Sequence, residues 1–169
     1  MAENTSQDLD KKRIFTVCID PGFVNGALGV VVFLDKDLFY SKGFSLMEHQ
    51  GKEKKKETYQ SDTIRKVRSV LDEVGLYIDE KNTDVIIEAQ MGNDEIWLTG
   101  VIQALAFEKG WNVKKMRRNM DCCKRLKIPV SKKDISREKK KLLTLKKVRE
   151  MGYNLKSNHL ADAAILFLS

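Results

Sequence analysis

The run Ile14-Phe15-Thr16-Val17-Cys18-Ile19 limits the possible folds more than any other stretch of the 169 residues. It is short, β-branched and almost wholly apolar, so the strand it predicts needs cover on both faces. Asp20-Pro21-Gly22 follows, where proline and glycine are expected to stop the strand and turn the chain. A second apolar run spans Leu28 to Leu34. The turn Asp35-Lys36-Asp37 then leads into Leu38-Phe39-Tyr40, a hairpin signature.

Farther on, Glu48 to Glu57 has no apolar period and reads as an exposed loop or a frayed helix start. Ile64, Val67, Val70, Leu71 and Val74 fall on helical spacing, and Gly75 closes that helix. Asp84-Val85-Ile86-Ile87-Glu88 reads as a fourth strand. Asn93-Asp94-Glu95 can cap a helix from Ile96 to Lys109, with Gly110 as its stop. Trp111 to Met116 reads as a fifth strand, and Arg117 to Asp134 as a basic loop with one helical turn at most. Helices are expected from Ser136 to Met151 and again from Asn158. The order β-β-β-α-β-α-β-α-α predicts an α/β fold, a mixed five-stranded sheet flanked by α-helices. Residues 1–12 read as a disordered leader and 13–169 as a single domain.

Charge is distributed unevenly. The formal net charge is +7, yet Lys114 to Lys156 holds 17 Lys and Arg against four Asp and Glu, leaving the remainder acidic. A basic block on an acidic body points to a polyanion, most often nucleic acid. The competing reading is a solvated lysine surface. Three cysteines make no disulfide framework, and no Cys/His cluster has zinc spacing. A reducing compartment is the simplest inference. The polar start lacks the apolar core of a signal peptide, and the longest apolar run, Ala27 to Leu34, is far too short to span a bilayer. A soluble intracellular protein is expected.

The last helix carries an anomaly. In Asn158-His159-Leu160-Ala161-Asp162-Ala163-Ala164, an imidazole and a carboxylate share one face of an otherwise apolar helix. Asp20 and Glu88 end the first and fourth strands, where α/β folds place their sites. If those strands are neighbours, His159 and Asp162 can reach them. Three carboxylates around one point, beside an imidazole, repel one another, and a divalent cation relieves that repulsion; oxygen-rich ligands favour Mg²⁺ or Mn²⁺. Each piece also has an ordinary role. Asp-Pro-Gly is a common turn, sheet rims are often polar, His159 can cap its helix, and Asp162 suits the first-turn dipole.

Three motifs in order, Ile19-Asp20-Pro21-Gly22, Ile86-Ile87-Glu88-Ala89-Gln90 and His159-Leu160-Ala161-Asp162-Ala163, resemble those of RuvC-type Holliday-junction resolvases. These belong to the RNase H-like (retroviral-integrase-like) superfamily. The polar leader, the length and the lysine-rich helix start resemble the branch carried by poxviruses and some phages. The resemblance implies an RNase H-like sheet and a Mg²⁺-dependent endonuclease, with Mn²⁺ able to substitute. Such an enzyme would work as a homodimer that nicks paired strands of a four-way DNA junction. It implies Asp20, Glu88, His159 and Asp162 as metal ligands and Gln90 as a residue facing DNA. Relatives place an aromatic wedge three residues beyond the glutamate; here that position is Met91.

The resemblance also implies a lysine that holds the scissile phosphate ahead of the last helices. In Glu138-Lys139-Lys140-Lys141 the favoured match is Lys139, with Lys140 and Lys132 behind it and Lys133 as a further DNA contact. A helical wheel groups Lys139, Lys140, Lys146 and Lys147 opposite Leu145 and Val148. Trp97 and Trp111 are assigned to core or interface. A binding-only protein that kept the fold and lost its chemistry is one rival reading, which the retained acidic set argues against, and two others stay open. One is an RNase H-like nuclease for RNA–DNA hybrids, flaps or other branches. The other is an actin-like or sugar-kinase-like ATP-binding protein, whose folds need two such domains where 169 residues hold one.

Overall fold

The computed structural model describes residues 12–22, 26–46, 56–114, 116–130 and 135–169. Three strands open the chain, β1 (Phe15–Gly22), β2 (Ala27–Leu34) and β3 (Asp37–Ser45). They are followed by α1 (Lys56–Gly75), a 3₁₀ turn at Glu80–Asn82 and β4 (Thr83–Ile87). Then come α2 (Asn93–Glu108), β5 (Asn112–Val113), α3 (Asn119–Arg125), α4 (Arg137–Glu150) and α5 (Asn158–Leu168). The expected leader lies outside the described residues except for Lys12, as does most of the Glu48–Glu57 segment.

The sheet order is β3-β2-β1-β4-β5. β1 pairs antiparallel with β2 and parallel with β4, so it is the central strand its apolar run calls for. Val17 and Ile19 face a core shared with Val67, Leu71 and Val74 of α1 and Leu98 and Ile102 of α2. Cys18, between them, faces the opposite core with Cys122 and Cys123 of α3, Val148 of α4 and Ala161, Ala164 and Ile165 of α5. Alternate residues of a strand point to opposite faces, so an unbroken apolar run is what two cores require. Trp111 is buried in the first core and Trp97 packs against it, in keeping with the core assignment.

Three details differ from the sequence expectation. β1 does not stop at Asp20; it runs on through Pro21 and Gly22, paired with Leu28 and Ala27. Its pairing with β4 ends at Ile19 opposite Ile87, so proline's missing N–H falls where β1 has a free edge. β5 is two residues long rather than six. Residues 119–125, expected in a loop, form α3, which buries Cys122 and Cys123. The helix is short, and the basic residues around it hide its apolar side from a periodicity reading.

Candidate active site

The register of β1 and β4 builds the site. Ile19 lies beside Ile87, and the Glu88 N–H donates to the Ile19 carbonyl at 2.9 Å. Asp20 and Glu88 thus stand side by side just past the end of the parallel pairing. By strand alternation both side chains face α5, as Cys18 and Ile86 do. On its other flank the Glu88 segment is held by Arg117, whose N–H donates to the Ile87 carbonyl at 3.2 Å and whose carbonyl accepts from Ala89 at 2.8 Å.

Helix α5 supplies the other half. Ser157 caps it, accepting from the Leu160 N–H at 3.4 Å. Its first turn lies directly on β2. A Cβ built on Gly29 would stand 2.9 Å from the His159 carbonyl oxygen, a backbone atom that cannot step aside. Only a glycine there lets the helix come this close. Within that turn the His159 Nδ1 lies 3.7 Å from an Asp20 carboxylate oxygen, and His159 and Asp162 point into one cleft.

The cleft has a volume of about 450 Å³ and is lined by Asp20, Glu88, His159 and Asp162 together. Gln90 and Met91 line it from the β4–α2 loop, Met91 with 78% of its surface exposed. Basic side chains line the same cleft: Arg118 beside α3 and Arg137, Lys140 and Lys141 of α4. All four acidic and imidazole positions named from the motifs therefore meet at one place.

The lysines divide differently from the expectation. Lys139 is exposed and outside the cleft; its backbone N–H donates to the Ser136 hydroxyl that caps α4. Lys140 and Lys141 line the cleft instead. The wheel grouped Lys140 with Lys139 opposite Val148, but Lys140 lies on the side of the fully buried Thr144 and Val148. At 100° per residue, positions 137, 140, 141, 144 and 148 form one stripe, so the buried Thr144 and Val148 set the helix phase. Lys146 points elsewhere and pairs with Glu150 at 3.8 Å. Lys132 and Lys133 lie outside the described residues.

Sequence reading did not single out Asn119. Its Nδ2 donates to Asp162 Oδ1 at 3.2 Å, and its Oδ1 accepts from Lys140 Nζ at 2.9 Å and from the Cys123 thiol at 3.4 Å. A lone asparagine in a basic segment carries no sequence signal.

Electrostatics mark the same place. Burial, reinforced by a hydrogen bond and repulsion from Asp20, holds Glu88 far above the ordinary carboxylate range. Burial and then Asp20 push Asp162 up to about 6, against the pull of Asn119, Lys141 and Lys140. Asp20 raises His159 despite the opposing effect of burial. Among the described residues, no three His, Cys, Asp or Glu side chains are gathered closely enough to hold a metal ion as they stand. The fit to a cation rests on the donor chemistry: three carboxylates share the cleft, and burial there disfavours the ionised forms of Glu88 and Asp162. A divalent cation reverses that preference, and this oxygen-rich set suits Mg²⁺ or Mn²⁺.

No protein-family model and no curated protein sequence matches the chain. Solved structures do. The Thermus thermophilus RuvC structure superposes with a TM-score of 0.59 at 21% identity, covering 92% of each chain. T. thermophilus RuvC in complex with Holliday junction substrate gives 0.61 at 20% identity, over 92% of this chain and 91% of that one. The chain has the RuvC fold. At this identity the likeness concerns architecture: the RuvC fold is an RNase H-like α/β sheet, as the motifs implied. Among the described residues, no helix is long and apolar enough to cross a membrane.

Proposed function

We propose that the protein is a metal-dependent, structure-selective DNA endonuclease that resolves four-way junctions by paired symmetric nicks. The observation that carries this reading is the convergence of Asp20, Glu88, His159 and Asp162 on one cleft that basic side chains also line. Its fold is shared with a RuvC solved on Holliday junction substrate. Asp20, Glu88, Asp162 and His159 would hold Mg²⁺ or Mn²⁺, which in phosphodiester cleavage activates a water and stabilises the leaving oxygen.

The chain's own residues account for the rest. Lys140 and Lys141, with Arg118 and Arg137, supply positive charge in the same cleft as the carboxylates, where a phosphodiester would be held by backbone contacts that read no sequence. Lys140 takes the role first assigned to Lys139, because its ammonium reaches Asn119 beside Asp162. Gln90 and the exposed Met91 stand at the mouth, where they meet the strand near the branch.

Paired nicking needs two such clefts, hence a homodimer. Helix α2 offers a face for it. Leu98, Ile102, Leu105 and Ala106 point inward, while Ile96, Gly100, Ala104 and Phe107 form a second, exposed apolar stripe. Phe107 keeps 77% of its surface exposed, and a helix apolar on both sides calls for cover on both.

The test is cleavage of a synthetic four-way junction with Mg²⁺ or Mn²⁺, run beside flap and RNA–DNA hybrid substrates. Paired nicks placed symmetrically across the branch are expected. Faster cutting of hybrids or flaps would replace the junction reading with the broader RNase H-like one, and ATP-dependent phosphotransfer without cleavage would replace both.

A further inference from the structure

We infer that Asn119 is a positioning residue that ties the phosphate-side Lys140 to the carboxylate-side Asp162, so that the two are set by one amide. The inference rests on the nuclease reading above and adds a residue that neither the motifs nor the fold assigns.

The amide is locked by the chemistry of its neighbours. A lysine ammonium can only donate, so the atom 2.9 Å from Lys140 Nζ is the carbonyl oxygen. The Cys123 thiol reinforces that orientation by donating to the same oxygen at 3.4 Å; burial keeps this thiol protonated by raising its pKa. The amide nitrogen is thereby turned toward Asp162 Oδ1, 3.2 Å away. One side chain at the start of α3 thus touches α4, α5 and its own next turn. Among the described residues, no other hydrogen bond joins the basic side chains of the cleft to its acidic set.

Two consequences follow from that wiring. Donation to one Asp162 oxygen fixes the carboxylate's rotation and leaves the other oxygen free for a cation. Acceptance from Lys140 keeps the ammonium from pairing directly with Asp162 or Glu88, which would neutralise the ligands. Loss of the amide should therefore weaken cation uptake and slow the chemical step, with little change in junction affinity, since many basic contacts share the latter.

The test compares Asn119→Ala, Lys140→Ala, their double variant and the isosteric Asn119→Asp, which replaces the donor by an acceptor. Three measurements are taken. They are Mn²⁺ affinity of the free protein by calorimetry, junction affinity in Ca²⁺, and single-turnover cleavage in Mg²⁺. We expect Asn119→Ala to lose about tenfold in Mn²⁺ affinity and about tenfold in rate, the scale of one hydrogen bond to a charged group. Asn119→Asp should lose more rate than the alanine variant despite its unchanged shape. The rate losses of Asn119→Ala and Lys140→Ala should not multiply in the double variant, because one acts through the other. Wild-type Mn²⁺ affinity and rate in both Asn119 variants, multiplicative losses, or losses that merely follow a drop in melting temperature would overturn the inference. If the wild type takes up Mn²⁺ but cuts no junction, the junction reading fails and the Mn²⁺ affinities still decide on Asn119. A wild type that takes up no Mn²⁺ removes both.

Discussion

At the residue scale the cleft concentrates cost. Glu88 and Asp162 both bind protons more tightly in the folded chain than a free carboxylate does, for the same first reason, burial. The folded state therefore holds more protons than the unfolded one from the ordinary carboxylate range upward, and stability must fall as pH rises through that window. The metal-free protein is expected to melt higher at pH 5 than at pH 8, with a slope of up to about 1.4 kcal/mol per pH unit for each proton involved. His159, also raised, adds in the same direction. Glu88→Gln should flatten the dependence, and saturating Mg²⁺ should raise the pH 8 melting temperature of the wild type more than that of the variant. Melting curves that are flat with pH in the metal-free wild type would show that the carboxylates are not crowded. Asp162→Asn, which keeps the hydrogen-bonding shape but removes the charge, is expected to lower single-turnover cleavage on the order of a thousandfold, the scale of several kcal/mol of transition-state charge stabilisation. It should still bind junctions. An Asp162→Asn variant that cuts normally would remove the residue from the ligand set.

At the element scale the site depends on how closely α5 rests on β1 and β2, and two glycines permit it. At Gly29 an added Cβ meets the His159 backbone, and at Gly22 it meets the Ala27 carbonyl at 2.8 Å and the His159 ring at 3.4 Å. Gly29→Ala is expected to cost about 1–3 kcal/mol of stability through overpacking and to lift the first turn of α5, weakening Mn²⁺ binding beyond what the stability loss explains. Calorimetry beside thermal unfolding checks this; an alanine variant with wild-type metal affinity would show that α5 tolerates the shift. The sequence revealed these elements unequally. β1 and β4 were legible because a strand buried on both faces must be continuously apolar, and their end carboxylates followed from the strand ends. The phase of α4 was not, because Glu138-Lys139-Lys140-Lys141 contains no apolar residue to mark an inward side. Only Thr144, a polar residue that turns out to be fully buried, continues the stripe from Val148 to Lys140. Gly29 sits in an apolar run where nothing local distinguishes a close helix contact from a gap, and α3 was lost among charges.

At the scale of the whole molecule, the proposed function makes a cleft lined by both acidic and basic side chains divide binding from chemistry. Each phosphate contact releases counterions, so binding to a four-way junction should weaken steeply with salt, and charge-removing substitutions of the basic side chains should reduce that slope by about one each. Arg137→Gln and Lys141→Gln are expected to do so with cuts still falling at the same place; a slope untouched by either would move the DNA path off these residues. The exposed stripe of α2 sets the last expectation. Under the proposed function two clefts must act on one junction before its arms separate, and a monomer that retains every cleft residue would nick only one strand per encounter. Phe107→Glu places a charge in the proposed apolar self-contact, yet lies on the face of α2 away from the core formed by Leu98 and Ile102. Sedimentation should show the wild type as a dimer and the variant shifted to monomer, with an unchanged melting temperature at low concentration. On a supercoiled cruciform plasmid the wild type should give linear product, and the variant nicked circles. A monomeric variant that still produced linear plasmid at the wild-type rate would place the two cuts in separate encounters, and the dimer would then have no part in pairing them.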